Sequence, residues 1–202
     1  MTVALLLAAA PDRLSAMTRP YRQPGDRLAG DSAVIDGVGG RLLSAGVRRV
    51  EVAMCADAAD GLRAVAATVR RSAEPVLVCT AARVLATPLA ALAALLARTG
   101  SAAVTTSGTL LVARQDLPAV ADVAEALAER VAAGDGPQGS RRRHHLSVRR
   151  FNRKMRVSAE LNDAAASLID GVAGSGVKLT ALNVRDTASI GRAPGPDRKS
   201  VV

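Results

Sequence analysis

Residues 3–10 read VALLLAAA, an uninterrupted apolar run close to the start of the chain. A strand with one exposed face alternates apolar and polar residues, whereas a strand of a parallel sheet is covered on both faces and is apolar throughout. The run is short and follows no basic residue, so it lacks the features of a secretory signal. It therefore predicts a strand that is buried on both faces of a sheet.

Helices and strands are predicted to alternate from this strand onward. Helical spacing predicts a helix over residues 34–45, and Gly46 stands in the position of its C-cap. Further helices are predicted at residues 58–71, 89–97 and 116–133. The strands predicted between them are residues 50–54, 76–79, 102–106 and 109–113. This alternation favours an α/β fold for residues 1–133, a Rossmann-like, three-layer α/β/α domain with a mostly parallel sheet.

The positive charge of the chain is concentrated in its last third. Residues 1–137 carry a net charge of +1, and residues 138–202 carry +8. The run RRRHHLSVRRFNRKMR at residues 141–156 contains eight Arg or Lys residues and no acid. After residue 133 we expect a basic, mainly helical connector at residues 134–158. A helical segment with a possible strand follows at residues 159–185, and a disordered tail at residues 186–202.

Two expectations concern the end of the chain. Residues 177–184 have the pattern of a strand, but we expect them to lack a sheet to join when the natural partner domain is missing. Residues 197–202, DRKSVV, match the in-frame translation of a sequencing adapter up to its stop codon. We therefore treat them as artefactual and expect the natural protein to continue past about residue 196.

The composition indicates a chain that folds in a reducing compartment. Hydrophobic residues make up 49% of it, yet Tyr21 and Phe151 are the only aromatic residues, so small aliphatic side chains must fill the core. Cys55 and Cys79 fall in or at the end of predicted strands, with no second Cys or His at the spacing of metal ligands, and we expect buried free thiols. The apolar run at residues 86–97 is too short to cross a membrane. We expect a cytoplasmic location for this part of the protein and no metal site.

The first strand, its loop and helix, and the later strand PVLVCTAARVL at residues 75–85 together resemble the nucleotidyltransferase fold of sugar-phosphate and cytidylyl transferases. The resemblance implies three catalytic features. A Gly-rich loop after the first strand holds the triphosphate, a Lys follows that loop, and an Asp after the third or fourth strand holds Mg²⁺.

None of these features stands at the matching positions. Pro11-Asp12-Arg13-Leu14 takes the place of the phosphate loop, and Pro11 removes an N–H donor. No Asp or Glu occurs from residue 75 to residue 115, and Lys154 is the first Lys of the chain. We therefore expect the domain to be unable to catalyse nucleotidyl transfer. The residues left for weak contact with nucleotide phosphates are Arg13, Arg19 and Arg22.

An alternative metal site would come from four aspartates in and after the first loop, Asp12, Asp26, Asp31 and Asp36. Such residues are more often turn formers and helix caps. Asp36-Gly37 with Arg41 resembles the start of the D-G-x-x-A-R signature of CDP-alcohol phosphotransferases, but the rest of the signature does not follow.

Gly37, Gly39 and Gly40 resemble a phosphate-binding loop, yet they lie inside a predicted helix rather than between a strand and a helix. We therefore attribute them to close packing of that helix against a neighbour.

The basic run has three interpretations. A nucleic-acid surface would have the same charge but more aromatic side chains than Phe151 alone. An anionic membrane would attract the charge, with apolar residues of the run as shallow anchors, namely Leu146, Val148, Phe151 and Met155. A solvated connector is the third, and we favour connector or membrane over nucleic acid. The residues expected to face an anionic surface are Arg141, Arg142, Arg143, Arg149, Arg150, Arg153, Lys154 and Arg156.

Three longer segments carry a family resemblance: PVLVCTAARVLAT, GTLLVARQDLPAVADVAEALA and SLIDGVAGSGVKLTALNVR, at residues 75–87, 108–128 and 167–185. They resemble actinobacterial proteins in which a divergent nucleotidyltransferase-like domain and a helical connector precede a membrane-embedded CDP-alcohol phosphatidyltransferase. The resemblance implies that a membrane domain follows as partner, that the full-length protein is membrane-associated, and that Mg²⁺ with CTP or a CDP-alcohol takes part. No phosphotransferase signature lies within residues 1–202.

The function expected from these observations is a catalytically silent nucleotidyltransferase-like domain of a phosphatidyltransferase of phospholipid synthesis. Two alternatives stay open. One is an active nucleotidyltransferase that makes an NDP- or CDP-activated alcohol with Arg13, Arg19 and a loop Asp. The other is a non-enzymatic module that binds anionic membrane or nucleic acid through the basic run.

Overall fold

β1 (Val3–Ala9) lies inside a sheet, and all seven of its residues are buried, as its apolar sequence predicts. The structure is a computed structural model that describes residues 2–10, 32–80, 89–105, 108–134 and 149–182. β2 (Arg49–Cys55) and β3 (Val76–Thr80) flank β1 and pair with it in parallel. The backbone polar groups of β1 are therefore paired on both sides, which is what a fully buried strand requires.

The other elements follow the predicted alternation. In chain order they are α1 (Ser32–Ser44), α2 (Ala58–Arg71), α3 (Leu89–Thr99), β4 (Ala102–Thr105), β5 (Leu110–Val112), a 3-10 turn (Arg114–Asp116), α4 (Leu117–Ala132), α5 (Arg149–Gly174) and β6 (Leu179–Leu182).

The six strands form one sheet in the order β2-β1-β3-β5-β4-β6. β5 is antiparallel to both of its neighbours, and the other described pairings are parallel. Gly108 has a φ of 81° where the chain turns back from β4 to β5, a conformation that glycine adopts without strain. The predicted α/β class with a mostly parallel sheet is confirmed.

Successive residues of β1 point to opposite faces of the sheet and enter two separate cores. Leu5 and Leu7 belong to the core that α2, α4 and α5 cover. Ala4 and Leu6 belong to the core that α1 and α3 cover. The sheet is therefore the middle layer between two layers of helices, as the sequence predicts.

α5 begins earlier than predicted. It starts at Arg149, inside the basic run, whereas the sequence suggested a helical segment from residue 159. Its second half is not an appendage, because Leu161, Leu168 and Val172 are buried in the same core as β1 and α2. The C-terminal segment thus shares the core of the preceding domain.

β6 corrects the expectation that residues 177–184 have no sheet to join. It pairs in parallel with β4, with Leu179 opposite Ala102 and Leu182 opposite Thr105. The expectation failed because β4 presents an edge to which a strand from the same chain can add.

The three glycines of α1 correct a second expectation. A Cβ atom added to Gly37, Gly39 or Gly40 would meet nothing within 4 Å in the part of the chain that the structure describes. Within the described ranges, therefore, no neighbouring helix packs closely against these glycines. Gly46 stands just after α1 with a φ of 90°, as predicted for a C-cap.

Close helix packing occurs instead at two glycines beside α5. A Cβ atom on Gly61 of α2 would lie 2.6 Å from Leu161 Cδ2. A Cβ atom on Gly171 of α5 would lie 2.8 Å from Val123 Cγ1 of α4. Both distances are shorter than a van der Waals contact, so α5 approaches its neighbours as closely as it does because these two side chains are absent.

Candidate functional site

The carboxyl ends of β1 and β3 lie side by side where the sheet reverses its direction of winding. From β1 the chain passes through α1 to β2 at one edge of the sheet, and from β3 it passes through α3 to β4 in the direction of the other edge. Open α/β sheets bind ligands beyond the carboxyl ends of their strands at such a reversal. We use the name β1–β3 crevice for these strand ends, which are marked by Ala9, Ala10, Thr80 and Asn162, without implying a cavity there.

Thr80, the last residue of β3, joins the crevice to α5. Its Oγ1 donates a hydrogen bond of 2.6 Å to Asn162 Oδ1, which satisfies a buried hydroxyl. Because the Asn162 oxygen accepts this bond, the amide nitrogen points the other way with two N–H donors. Asn162 is partly buried, and no described residue accepts a hydrogen bond from its nitrogen.

The described carboxylates near the crevice, Asp57 and Asp60, already form hydrogen bonds and an ion pair at the start of α2. Asp57 Oδ1 accepts from the Asp60 backbone nitrogen at 2.9 Å and thereby caps the helix. Asp60 accepts from the Ala56 backbone nitrogen and forms an ion pair of 3.1 Å with Arg63. Mg²⁺ prefers carboxylate oxygens that are free to coordinate it. The donor set described at this edge therefore does not fit the Mg²⁺ site that the nucleotidyltransferase resemblance implies.

The two thiols near this edge are buried and free, as predicted. Burial raises the pKa of the Cys79 thiol to about 12. Burial, followed by the negative charge of Asp60, raises the pKa of the Cys55 thiol to about 12. A thiol with such a pKa is protonated at neutral pH, so neither cysteine is a nucleophile there.

α5 runs from the carboxyl edge of the sheet to the amino edge. Asn162 lies level with the end of β3, and the helix ends shortly before β6, which starts beside the first residue of β4. Val157 of α5 is buried in the core. Because Asn162 lies level with the end of β3, the helical backbone of residues 149–156 lies beyond the carboxyl edge, and these eight residues span roughly 12 Å at the rise of an α-helix.

The predicted phosphate-binding and surface-binding residues fall into three groups. Those outside the described residues are Arg13, Arg19, Arg22, Arg141, Arg142 and Arg143. Those that the structure places in the first turns of α5 are Arg149, Arg150, Arg153 and Lys154. Arg156 also lies in α5, and its Nε is 3.2 Å from Glu160 Oε1, so its charge is partly compensated.

The alternative aspartate site is not assembled among the described residues. Asp12, Asp26 and Asp31 lie outside them, and Asp36 lies in α1. In the described ranges no group of three or more His, Cys, Asp or Glu side chains is placed to hold a metal ion.

A cavity of about 620 Å³ lies at the amino edge of the sheet, opposite the crevice. Its lining includes Pro75, Leu96, Gly100 and Gln115, and Gln115 Nε2 donates to the Gly100 carbonyl. The cavity is thus separate from the strand ends where α/β folds bind ligands.

Among the helices of the described ranges, none is both long and apolar enough to cross a membrane.

Sequence reasoning missed Thr80 and Asn162 as a pair, although Thr80 directly follows the strand predicted at residues 76–79 and Asn162 lies in the helical segment predicted at residues 159–185. The signal for Thr80 was a hydroxyl at the end of an otherwise apolar strand. For Asn162 it was a polar residue next to the buried Leu161 on one helix. Nothing in the sequence indicates that residues 82 positions apart meet.

Comparison with known proteins gives no relatives. No family model matches the chain. Searches of curated proteins and of solved structures found no match either.

Proposed function

We propose that this chain is a nucleotidyltransferase-like module without nucleotidyl-transfer activity, and that it holds a transferase of phospholipid synthesis on an anionic membrane surface through the first turns of α5. The succession β1, α1, β2, α2 and β3 and the crevice between β1 and β3 support the nucleotidyltransferase-like assignment. The link to phospholipid synthesis rests on the resemblance of residues 75–87, 108–128 and 167–185.

The observation that carries the proposal is the continuity of α5. The segment RRFNRKMR at residues 149–156 has five basic residues and no acid, and it lies in the same helix as the buried Leu161 and Leu168. A flexible connector would lose conformational entropy on binding a surface, whereas a helix held by the core is already ordered. Basic residues near an anionic membrane contribute about 1 kcal/mol each.

The absence of nucleotidyl transfer is supported by what stands at the strand ends. Pro11 follows β1 where a backbone donor would hold a triphosphate. Thr80 ends β3 and bonds to Asn162 instead of leaving a free group for chemistry. Asp57 and Asp60 serve the cap of α2.

Vesicle co-sedimentation tests the membrane part of this proposal. The protein should sediment with vesicles that contain phosphatidylglycerol and stay in solution with vesicles of phosphatidylcholine alone. Replacing Arg149, Arg150 and Arg153 by Ala should abolish sedimentation. In the matched control variant, three exposed arginines elsewhere are replaced by Ala, namely Arg98, Arg114 and Arg130. This variant loses the same charge and should sediment with the anionic vesicles like the unaltered protein.

Equal loss in both triple variants would contradict docking through α5, because net charge alone would then explain binding. Binding of duplex DNA in preference to the anionic vesicles would support the nucleic-acid alternative instead.

Turnover assays test the catalytic part. With CTP, Mg²⁺ and a panel of phosphorylated alcohols, no pyrophosphate should be released above the rate of a heat-denatured sample. Release that depends on Arg13 would establish the active-nucleotidyltransferase alternative and overturn the silent-module proposal.

A further inference from the structure

The cavity at the amino edge of the sheet, which we call the amino-edge cavity, lies where all connections between consecutive elements are described, at residues 45–48, 72–75, 100–101, 113–116 and 175–178. Its volume of about 620 Å³ is that of a pocket for a small organic molecule. The described residues that line it stand at the ends of α3, β3 and β5, in the 3-10 turn and in the first turn of α4. They are Pro75, Leu96, Gly100, Ala113, Arg114, Gln115 and Pro118.

The walls of the amino-edge cavity are held in place by contacts within the fold. The antiparallel pairing of β3 with β5 brings Pro75 and Ala113 side by side at the end of the ladder. Gln115 Nε2 donates to the Gly100 carbonyl at 3.0 Å and thereby ties the 3-10 turn to the end of α3. The Gly100 backbone nitrogen donates in turn to the Leu96 carbonyl at 2.8 Å. A site that is formed before binding loses little conformational entropy when a ligand arrives.

The lining combines apolar walls with one positive charge. Leu96 is only half-buried, although it packs against the core beneath α3, and it lies beside two proline rings. Arg114 is exposed, and it is the one charged residue of the described lining. No described carboxylate forms an ion pair with it. The neighbouring Asp116 does not line the cavity, and its Oδ2 is buried.

From these observations we infer that the amino-edge cavity binds a small carboxylic acid with an apolar body. The carboxylate pairs with the Arg114 guanidinium, whose planar fork matches its two oxygens, and the apolar body covers Leu96 and the prolines. The inference is independent of membrane docking and of catalysis, because residues 149–156 and the β1–β3 crevice lie at the opposite edge of the sheet.

Titration calorimetry with octanoate and with 2-naphthoate tests an aliphatic and an aromatic carboxylate. At least one of them should bind. Octylamine has the same chain length as octanoate but a positive charge, and it should bind at least about threefold more weakly than the better carboxylate, because it cannot pair with a guanidinium. Binding of neither carboxylate overturns the inference, and so does equal or tighter binding of octylamine.

The decisive variant is Arg114→Gln, which removes the charge at an exposed position. Binding of the carboxylate should weaken by at least about threefold, the effect of an exposed ion pair. The control Arg130→Gln removes the same charge from an exposed position at the other end of α4 and should leave binding unchanged. Equal weakening in both variants, or none in Arg114→Gln, overturns the inference.

A second measurement locates the bound carboxylate in the unaltered protein. The side-chain amide pair of Gln115 is identified in a nitrogen–proton spectrum by its absence from Gln115→Glu, a change at an exposed position. This pair lines the cavity and should shift on addition of the carboxylate. A carboxylate that binds without moving these signals binds elsewhere and overturns the inference.

Discussion

Gly61 and Gly171 show how single missing side chains decide the position of a helix. Each lies where α5 touches a neighbouring helix, and each would place a Cβ atom under 3.0 Å from a side chain of that contact. The glycines of α1 have no such neighbour among the described residues. The same residue type therefore has opposite energetic effects at the two places.

Gly171→Ala should destabilise the protein by about 1–2 kcal/mol, because Val123 is β-branched and cannot swing away from the added methyl group. Gly40→Ala should stabilise it by about 0.5–1 kcal/mol, since alanine is the better helix former and no described atom lies within 4 Å of the added Cβ atom. Urea unfolding of both variants measures the two free energies. Stabilisation by Gly171→Ala would show that α5 can shift without cost.

The buried thiols make stability depend on alkaline pH. Their pKa is about 12 in the folded state and near the ordinary value of 9.0 in the unfolded state. Only the unfolded chain releases these protons between about pH 9 and pH 12, so the stabilisation is complete below pH 9 and is lost as pH rises through this window.

The loss should approach about 1.4 kcal/mol per pH unit for each thiol. Cys79→Ala should unfold with a shallower dependence on pH above pH 9 than the unaltered protein, when free energies are measured by urea titration at each pH. Parallel curves for the two proteins would argue that Cys79 is accessible to water in the folded state.

Burial of Cys55 and Cys79 could be predicted because each stands in an apolar strand. The contact of Thr80 with Asn162 could not, because side-chain pairing across the fold depends on the angle at which α5 crosses the sheet. The close packing expected at the glycines of α1 has no partner among the described residues, because the sequence shows a small residue but not what faces it.

Among the elements, α5 departs furthest from the separate connector and helix that the sequence suggested. Helical periodicity indicated its buried half, where Leu161, Leu168 and Val172 recur on one face. The basic half has few apolar residues, so its helical state follows from continuity with the anchored half rather than from its own pattern.

Leu168→Ala tests whether α5 belongs to the core. Removing this buried side chain should cost about 2–4 kcal/mol through lost burial and a residual cavity. The control Ala166→Gln, at an exposed position of the same helix, exchanges one good helix former for another and should change stability by less than about 0.5 kcal/mol. A small effect of Leu168→Ala in urea unfolding would mean that α5 is only loosely attached.

The strands and helices up to α4 could be predicted well, because each carries its own period of apolar residues. The pairing of β6 with β4 could not, because a four-residue strand has little pattern and its partner lies more than 70 residues away. Non-local pairing is decided by the shape of the completed sheet.

Across the whole molecule the charge is unevenly divided, with +8 of the net +9 in residues 138–202. Attachment to anionic vesicles should therefore fall steeply with salt, because the screening length shortens from about 8 Å at 0.15 M to about 3 Å at 1 M ionic strength. Co-sedimentation across this range measures the effect. Attachment that persists at 1 M would show that apolar insertion, rather than charge, holds the protein.

The pairing of β6 with β4 also orders events during synthesis. Because β6 is the last of the described strands and α5 packs on β1 and β3 beside α2 and α4, part of one sheet face and the β4 edge stay open until residue 182 has left the ribosome. Such surfaces are prone to wrong association. A pause in translation before this point would therefore favour aggregation, whereas release of the last strand would close the fold in one step.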